Sequence, residues 1–280
     1  MMCPRTALKK YFCSAREWLG QLPRRELDLA VARRKITEFI RKKVEGSKLD
    51  GAVLGISGGI DSAVTAYLCV EALGSRRVLG VIMPDGRVTP EEDIEDSRTV
   101  AQELCIETKF TDIGPIHQAF MRNLEPNKLA EGNLRARIRM SILYYNANLT
   151  NRLVVGTGDR SEALVGYFTK YGDGGVDILP IADLYKTEVR KMGEILGISR
   201  RIIKKRSSPR LWPGQTAEGE LGATYETIDR LFGMYLDERV SRMEAGRRSG
   251  APAEVAQRVF AKYKESSHKR KMPEICRLLR

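Results

Sequence analysis

The chain has 280 residues with a hydrophobic content of 42%, which predicts one large domain. No apolar run reaches the roughly 20 residues of a membrane span, and residues 1–10 lack the apolar core of a secretory signal peptide. The formal net charge is +12, and the basic residues form dispersed clusters without interleaved aromatic residues. This pattern favours the binding of small polyanions such as ATP over the binding of nucleic acid. The alternative is that the charges only form a solvated surface and bind no partner. The five cysteines form no C-x-x-C pair, which excludes the common zinc and iron–sulfur motifs and predicts a reducing cytoplasm as the location.

The first hundred residues predict an extension and then a helix, a strand and a second helix. Residues 1–27 have no clean period and are predicted to be an amino-terminal extension. Residues 28–44 carry apolar side chains at helical spacing. Residues 52–56 form a short apolar run typical of a buried strand, and residues 63–73 form a helix closed by Gly74.

Three more strands are predicted, separated by helices. Residues 78–83 and 153–156 are short apolar runs, and residues 108–113 are a weaker strand candidate. Helices are predicted over residues 89–104, with Thr89 as the cap and Pro90 in the first turn, and over residues 116–121 and 132–148. Strands that alternate with helices build parallel sheets, and ligands bind such sheets at the carboxyl ends of the strands. The pattern predicts an α/β fold.

The last hundred residues predict helices around one long irregular segment. Residues 184–196 read as an amphipathic helix, and residues 223–236 and 252–263 as two more. Residues 200–220 read as a long loop, which in compact domains is typical of a lid or binding loop. We expect residues 28–265 to form the main domain, and residues 266–280 to be a basic tail that gains order from a substrate or a partner subunit.

A glycine-rich turn joins the first strand to the second helix. It consists of Gly55, Ile56, Ser57, Gly58, Gly59, Ile60, Asp61 and Ser62. Glycines let backbone N–H groups approach an anion closely, and the N-terminus of the following helix adds a favourable dipole. A carboxylate beside a phosphate repels it unless a cation lies between them, so Asp61 indicates a Mg²⁺ site.

Other interpretations of this turn remain open from its residues. It does not match the Walker A spacing or the dinucleotide pattern G-x-G-x-x-G. It does match G-x-S-x-G at Gly55, Ser57 and Gly59, which is typical of the nucleophile turn of a serine hydrolase. A tight strand–helix turn with no ligand is the remaining alternative.

The turn resembles the S-G-G-x-D-S loop of the ATP pyrophosphatases, the PP-loop family, in which the loop holds the pyrophosphate released from ATP. The order of motifs across residues 28–273 resembles the ammonia-dependent NAD synthetases of that superfamily. The motifs lie at residues 55–62, 83–84, 132–140, 156–159, 167–175, 211–215 and 268–269.

The resemblance implies an ATP-dependent amidation that completes NAD biosynthesis. Deamido-NAD, ATP and ammonia would give NAD, AMP and pyrophosphate through an adenylated nicotinate intermediate. It also implies a doubly wound parallel sheet of the adenine nucleotide alpha-hydrolase type, which is Rossmann-like, and a homodimer. Glutamine-dependent relatives carry an extra amidase domain, for which residues 1–27 are too short, so free ammonia is the expected nitrogen donor.

The resemblance also assigns roles to individual residues. Asp61 and Glu162 would bind Mg²⁺ and, with Lys186, form the catalytic set. ATP would contact the turn, residues 55–62, together with Thr157, Lys186 and Ser208. Deamido-NAD would contact Arg137, Lys170, Asp177, His268 and Lys269. Each residue has an alternative interpretation from the sequence alone: the acids as helix caps, Lys186 as a solvent-facing charge, Ser208 as a plain loop residue and His268 as an exposed tail residue.

Three rival functions remain on the residues alone. An enzyme with the same ATP chemistry and a tRNA acceptor suits the positive charge, but the missing C-x-x-C and the lack of a recognisable tRNA-binding domain count against it. A serine hydrolase using Ser57 and His268 leaves Asp61, Glu162 and Lys186 without roles. A non-catalytic nucleotide-binding module is the third.

Overall fold

The structure is a computed structural model that describes residues 27–276 and 278. Within this range the strands are β1 (Gly51–Gly55), β2 (Val78–Ile82), β3 (Glu107–Phe110) and β4 (Arg152–Val154). They pair in parallel in the order β3-β2-β1-β4. The chain builds outward from β1 to β3 and then returns to the other side of β1. Ligands bind parallel sheets at such a reversal of strand order.

Among the described residues, helices separate the strands along the chain and continue after the last strand. They are α1 (Leu29–Gly46), α2 (Ile60–Leu73), α3 (Glu91–Glu103), α4 (Gly114–Met121), α5 (Lys128–Thr150), α6 (Arg160–Val165), α7 (Lys186–Ile195), α8 (Arg200–Lys204), α9 (Ala217–Leu221), α10 (Tyr225–Phe232), α11 (Arg242–Ser249) and α12 (Ala253–Glu265). None of these helices is both long and apolar enough to cross a membrane.

Helices cover both faces of the sheet. Successive side chains of a strand point to opposite faces. Ala52 and Leu54 of β1 therefore pack with α1, α2 and α7, whereas Val53 packs with Ile138 and Ala147 of α5. Burial on both faces explains the continuous apolar runs in the sequence, and the predicted doubly wound parallel sheet is confirmed.

A second hydrophobic core lies among the carboxyl-terminal helices. We call it the helical cluster; its members include Leu164 of α6, Tyr225, Leu231 and Phe232 of α10, and Phe260 of α12. Along the chain α6 follows β4, whose Val154 belongs to a core of the sheet, whereas Leu164 of α6 belongs to the helical cluster. The segment from β4 to α6 therefore links the sheet to the helical cluster.

The segment predicted as one long loop carries short helices at both ends. Ile202 and Ile203 of α8 are buried in the sheet core, and Ala217 and Leu221 of α9 are buried in the helical cluster. Both helices are only five residues long, too short to show a helical period in the sequence. The prediction of an unbroken loop over residues 200–220 was therefore wrong at its two ends. The same reason explains why α11, which buries only Ala245 and Ser249, was not predicted.

One further local expectation differs from the structure. Pro90, not Thr89, is the N-cap of α3, and the Thr89 hydroxyl accepts a hydrogen bond from the Asp85 N–H at 3.1 Å instead.

The first tail residues, Ser266–Arg270, form a 3₁₀ turn. Lys269 Nζ donates to the carbonyls of Gly166 and Phe168 at 2.8 and 2.7 Å. The expectation that the tail gains order from a substrate or a partner subunit stays a prediction.

The expected extension, residues 1–27, lies almost wholly outside the described residues, as do Arg277, Leu279 and Arg280 of the tail. The domain boundaries at residues 27 and 265 stay a prediction.

Candidate active site

The glycine-rich turn forms a compact hydrogen-bonded loop at the end of β1. The Ser57 N–H donates to Ser62 Oγ at 3.2 Å, and the two serine hydroxyls lie 3.0 Å apart. Ser62 Oγ also donates to the Gly59 carbonyl at 3.0 Å. Gly59 is the N-cap of α2 and offers no side-chain acceptor. The first N–H groups of α2 therefore have no acceptor within the helix, as an anion site requires.

Gly58 lies in close contact with the backbone of α3. Its φ of +73° lies in the left-handed region, and a Cβ at this position would lie 2.2 Å from the carbonyl oxygen of Asp93. Any side chain would thus separate the turn from α3, so the second glycine of the motif is required by packing as well as by backbone conformation.

The two acids predicted to bind metal meet beside the turn. Asp61 lies in the first turn of α2, Glu162 lies in the first turn of α6, and both contact the ammonium of Lys186. The distances from Lys186 Nζ are 2.6 Å to Asp61 Oδ2 and 3.0 Å to Glu162 Oε1. Both acids are 20% exposed, whereas the lysine is 0% exposed. The acids therefore face the cavity and the lysine lies behind them.

A third acid, which the sequence prediction missed, completes this group. Asp159 is the N-cap of α6, where it accepts the Glu162 N–H at 2.8 Å. Its Oδ2 lies 2.7 Å from Lys186 Nζ. We call Asp61, Asp159, Glu162 and Lys186 the acid–lysine cluster. The signal for Asp159 was its place directly after the fourth predicted strand, at the edge of the sheet where ligands bind.

Burial and charge set the protonation of the cluster. Burial alone would lower the pKa of Lys186, but Asp159, Asp61 and Glu162 raise it well above 10.5, so the side chain stays an ammonium. Burial raises the pKa of Asp159 to about 6 against the attraction of Lys186, and raises the pKa of Glu162 in the same way. Three acids thus share one lysine, and a further cation would favour their ionised forms.

The cluster fits a hard divalent cation. One ligand oxygen from each of Asp61, Asp159 and Glu162 lies within 4.8 Å of the others, the only such group found in the described residues. Asp61 Oδ1 is buried and has no hydrogen-bond partner in that part of the chain. Carboxylate oxygens that lack a donor are suitable ligands for Mg²⁺.

A cavity of about 370 Å³ opens beside the cluster, which is within the size range of small-molecule sites. The predicted site residues that line it are Gly55, Ile56, Ser57, Gly59, Ile60, Asp61, Ser62, Thr157, Glu162, Ser208 and Lys269. Gly58 and Lys186 lie behind this lining and act on its shape and charge. The structure thus brings the predicted ATP residues of four separate segments together.

Four of the five residues predicted to contact deamido-NAD also meet. Arg137 Nη2 donates to the Lys170 carbonyl at 3.4 Å, Lys170 Nζ donates to the His268 carbonyl at 3.2 Å, and Lys269 follows His268. Asp177 has no hydrogen bond to these four in the described residues; its carboxylate accepts the Tyr144 hydroxyl at 2.9 Å and the Val154 N–H at 2.8 Å. The substrate contacts of all five stay predictions.

Residues 205–216, between α8 and α9, cover the cavity; we call this segment the lid. Lys205 Nζ lies 2.8 Å from Asp93 Oδ1 and also contacts Asp96, and Arg210 Nε lies 2.7 Å from Asp93 Oδ2. Both acids belong to α3 and are almost fully buried. The lid, which carries Ser208, is therefore held by ion pairs. The sequence showed its basic residues but gave no signal for their partners.

Comparison with known proteins agrees with this geometry. A model of the NAD synthase family matches residues 32–273. The chain belongs to the NAD synthase family. This NAD synthase family member is 49% identical over 250 residues to the NH(3)-dependent NAD(+) synthetase of Hyperthermus butylicus, an alignment that covers 89% of this chain and 91% of the relative.

Solved structures show the same NAD synthase fold. The NH3-dependent NAD synthetase from Campylobacter jejuni, in complex with the nitrate ion, has a TM-score of 0.76 and 33% identity, covering 90% of this chain and 100% of that chain. The NMN synthetase from Francisella tularensis has a TM-score of 0.80 and 32% identity, with the same coverage of 90% and 100%. The resemblance stated from the sequence motifs is confirmed.

Proposed function

We propose that this protein amidates deamido-NAD with ammonia at the expense of ATP, giving NAD, AMP and pyrophosphate. The observation that carries the proposal is the acid–lysine cluster, where Asp61 and Glu162 from the first turns of two different helices meet next to the glycine-rich turn. Relatives of similar length named as NH(3)-dependent NAD(+) synthetases support the choice of substrates. The serine hydrolase alternative loses support, because Ser57 Oγ pairs with Ser62 and, in the described residues, has no hydrogen bond to His117 or His268.

ATP would bind with its β and γ phosphates in the glycine-rich turn. The N–H groups at the start of α2 would donate to the phosphate oxygens, and the Ser57 and Ser62 hydroxyls lie within the same turn. Asp61 and Glu162 would hold Mg²⁺, which when bound neutralises phosphate charge and polarises the reacting phosphoryl group. Thr157 and Ser208 line the same cavity.

The first chemical step would form the adenylated nicotinate. A carboxylate oxygen of deamido-NAD bonds to the α-phosphorus while the bond from that phosphorus to the bridging oxygen of pyrophosphate breaks. Charge moves onto the leaving pyrophosphate, where a fixed donor stabilises it most. Lys186 suits a charge-stabilising role because its neighbours keep it an ammonium. It lies behind the acids, within 3.0 Å of each of them, so it would stabilise the developing charge electrostatically and keep its proton.

In the second step ammonia would attack the carbonyl carbon of the mixed anhydride. The carbon–oxygen bond to AMP breaks, and the nitrogen loses one proton to give the amide. Water would compete with ammonia for the same carbon, so the intermediate must be shielded. The lid over the cavity is the segment in position to do this.

We expect Lys205→Met to loosen the lid and uncouple the reaction. Without this ammonium, Asp93 and Asp96 lose one of the cations that hold the lid to α3. Water entry should raise the AMP formed per NAD from one to at least about two, measured by chromatography of the products. Arg33→Met is the control, because it removes an exposed ion pair with Glu71. One AMP per NAD in Lys205→Met would contradict a shielding lid.

The activity itself is tested with Mg-ATP, deamido-NAD and ammonium, followed by quantification of NAD, AMP and pyrophosphate. Equal amounts of the three products are expected. Production of ADP, or a requirement for tRNA, would refute the proposal. Nicotinate mononucleotide is included as a competing acceptor because one structural relative is named as an NMN synthetase; its preferential use would shift the proposal to that substrate.

The proposal extends to a cytoplasmic homodimer. The α4–α5 region exposes large apolar side chains at helical spacing, with Phe120 49% exposed on α4, and Tyr145 and Leu149 69% and 61% exposed on α5. Exposed apolar patches of this kind are typical of subunit interfaces. We expect light scattering to give twice the chain mass and Leu149→Asp to give the monomer. A monomeric wild type would contradict the homodimer.

A further inference from the structure

The first turn of α7 is held from outside the helix. Lys186 is its first residue, and the Lys186 N–H donates to Ser161 Oγ at 2.8 Å. The next N–H, that of Thr187, donates to Asp229 Oδ2 at 2.9 Å. Ser161 Oγ in turn donates to Asp229 Oδ1. Ser161 is 0% exposed, and Asp229 is 7% exposed.

These acceptors meet a need of the helix and also fix the site lysine. The first N–H groups of a helix have no partner within it, and a buried carboxylate near that end is favoured by the helix dipole. The carboxylate here comes from α10, in the helical cluster, rather than from the N-cap residue Tyr185. Asp229 thus holds the backbone from which the Lys186 side chain extends.

The same face of α10 contacts the other end of that side chain. Tyr225 lies four residues before Asp229, one helical turn away. The Lys186 ammonium lies 5.0 Å from the centroid of the Tyr225 ring. Ser161, for its part, is the neighbour of Glu162 in α6. One turn of α10 therefore supports Lys186 at its backbone and its ammonium, and is linked to the segment that carries a cluster acid.

We propose that Asp229, acting through Ser161 and the Thr187 N–H, is a positioning residue for Lys186. Asp229 does not line the cavity; it fixes the start of α7 so that the ammonium lies among the acids, behind the cavity lining. This inference rests on the proposed function in one respect, namely that the charge of Lys186 contributes to the binding of ATP. A small displacement of a charged donor is costly, because its interaction with the developing charge depends on geometry.

The test is a double-mutant cycle on Mg-ATP binding, measured by calorimetry for the wild type, Asp229→Ala, Lys186→Met and the double variant. We expect Asp229→Ala to weaken binding about tenfold and to have no further effect once Lys186 is methionine. A merely structural role predicts the same loss in both backgrounds. Glu226→Ala is the control, because this exposed residue lies on the same helix and pairs with Arg190.

Additive losses in the cycle, or wild-type ATP affinity and kcat in Asp229→Ala, would overturn the positioning role. Circular dichroism and thermal melting establish that each variant is folded. If Asp229→Ala does not fold, Asp229→Asn is used in the same cycle, since its amide oxygen still accepts the Thr187 N–H. The loss of Mg-ATP affinity in Asp229→Asn should be smaller than in Asp229→Ala and should depend on Lys186 in the same way. A wild type that does not bind Mg-ATP would refute the proposed function and this role with it, whereas additivity in a protein that binds Mg-ATP refutes this role alone.

Discussion

Lys186→Met is expected to lower kcat by at least about 10³-fold, because it removes a buried, fixed positive charge that lies beside the site where charge develops on the leaving pyrophosphate. Methionine has a similar length, so the cavity lining is kept. Lys191→Met on the solvent side of the same helix is the matched control and should retain wild-type kcat. Steady-state and single-turnover rates of AMP formation measure the effect. A kcat within tenfold of wild type would remove Lys186 from the catalytic set.

The same variant should become more sensitive to high pH. Burial raises the pKa of Asp159 to about 6 even with Lys186 present. An acid whose pKa is raised on folding binds more protons in the folded state, so its contribution to stability falls as pH rises through that pKa. Lys186 lowers the pKa of Asp159 and Glu162, so loss of its ammonium raises the pKa of both acids further. The melting temperature of Lys186→Met should therefore drop more between pH 5 and pH 8 than that of the wild type.

Asp61→Asn is expected to lower kcat by about 10²- to 10⁴-fold and to weaken the activating effect of Mg²⁺. Asparagine keeps the size of the side chain but removes its charge and replaces one of the two carboxylate oxygens, of which Oδ1 is buried without a donor, by an NH₂ group that cannot bind a cation. The side chain is partly exposed, so the fold should persist. Titration with Mn²⁺ followed by electron paramagnetic resonance measures metal binding independently of turnover.

Glu92→Gln is the matched control for Asp61→Asn, because it removes an exposed acid from the first turn of another helix. Its metal affinity and rate should equal those of the wild type. An unchanged Mn²⁺ affinity in Asp61→Asn would show that the acid–lysine cluster does not hold the metal through this residue.

The sequence predicted best those elements whose conformation follows from residues close together in the chain. The apolar runs before Gly55 and after Ser62 predicted a strand and a helix, and both exist, with bounds shifted by one to three residues. Weakly periodic segments such as α11 escaped prediction, because a helix that buries few residues has little amphipathic pattern. The motifs carried the family assignment because they preserve chemistry that depends on particular residue types.

Hydrogen-bond and ion-pair partners that lie far apart along the chain could not be predicted from a sequence pattern. Ser161 and Asp229 are separated by 68 residues, and Lys205 and Asp93 by 112. Neither pair produces a period or a motif, since any acid and any donor could pair if packing brought them together. Asp159 is intermediate: its place after a strand was visible, but its contact with Lys186 was not.

The sequence by itself therefore determined the strand–turn–helix unit, the parallel sheet and the residue types of an ATP pyrophosphatase site, because backbone conformation and burial follow from neighbouring residues. Only the tertiary structure decided that three acids converge on one lysine, that α3 holds the lid and that α10 supports Lys186. These contacts depend on how helices pack across the sheet edge, and the free energy of a buried charge is set by the groups that packing places around it.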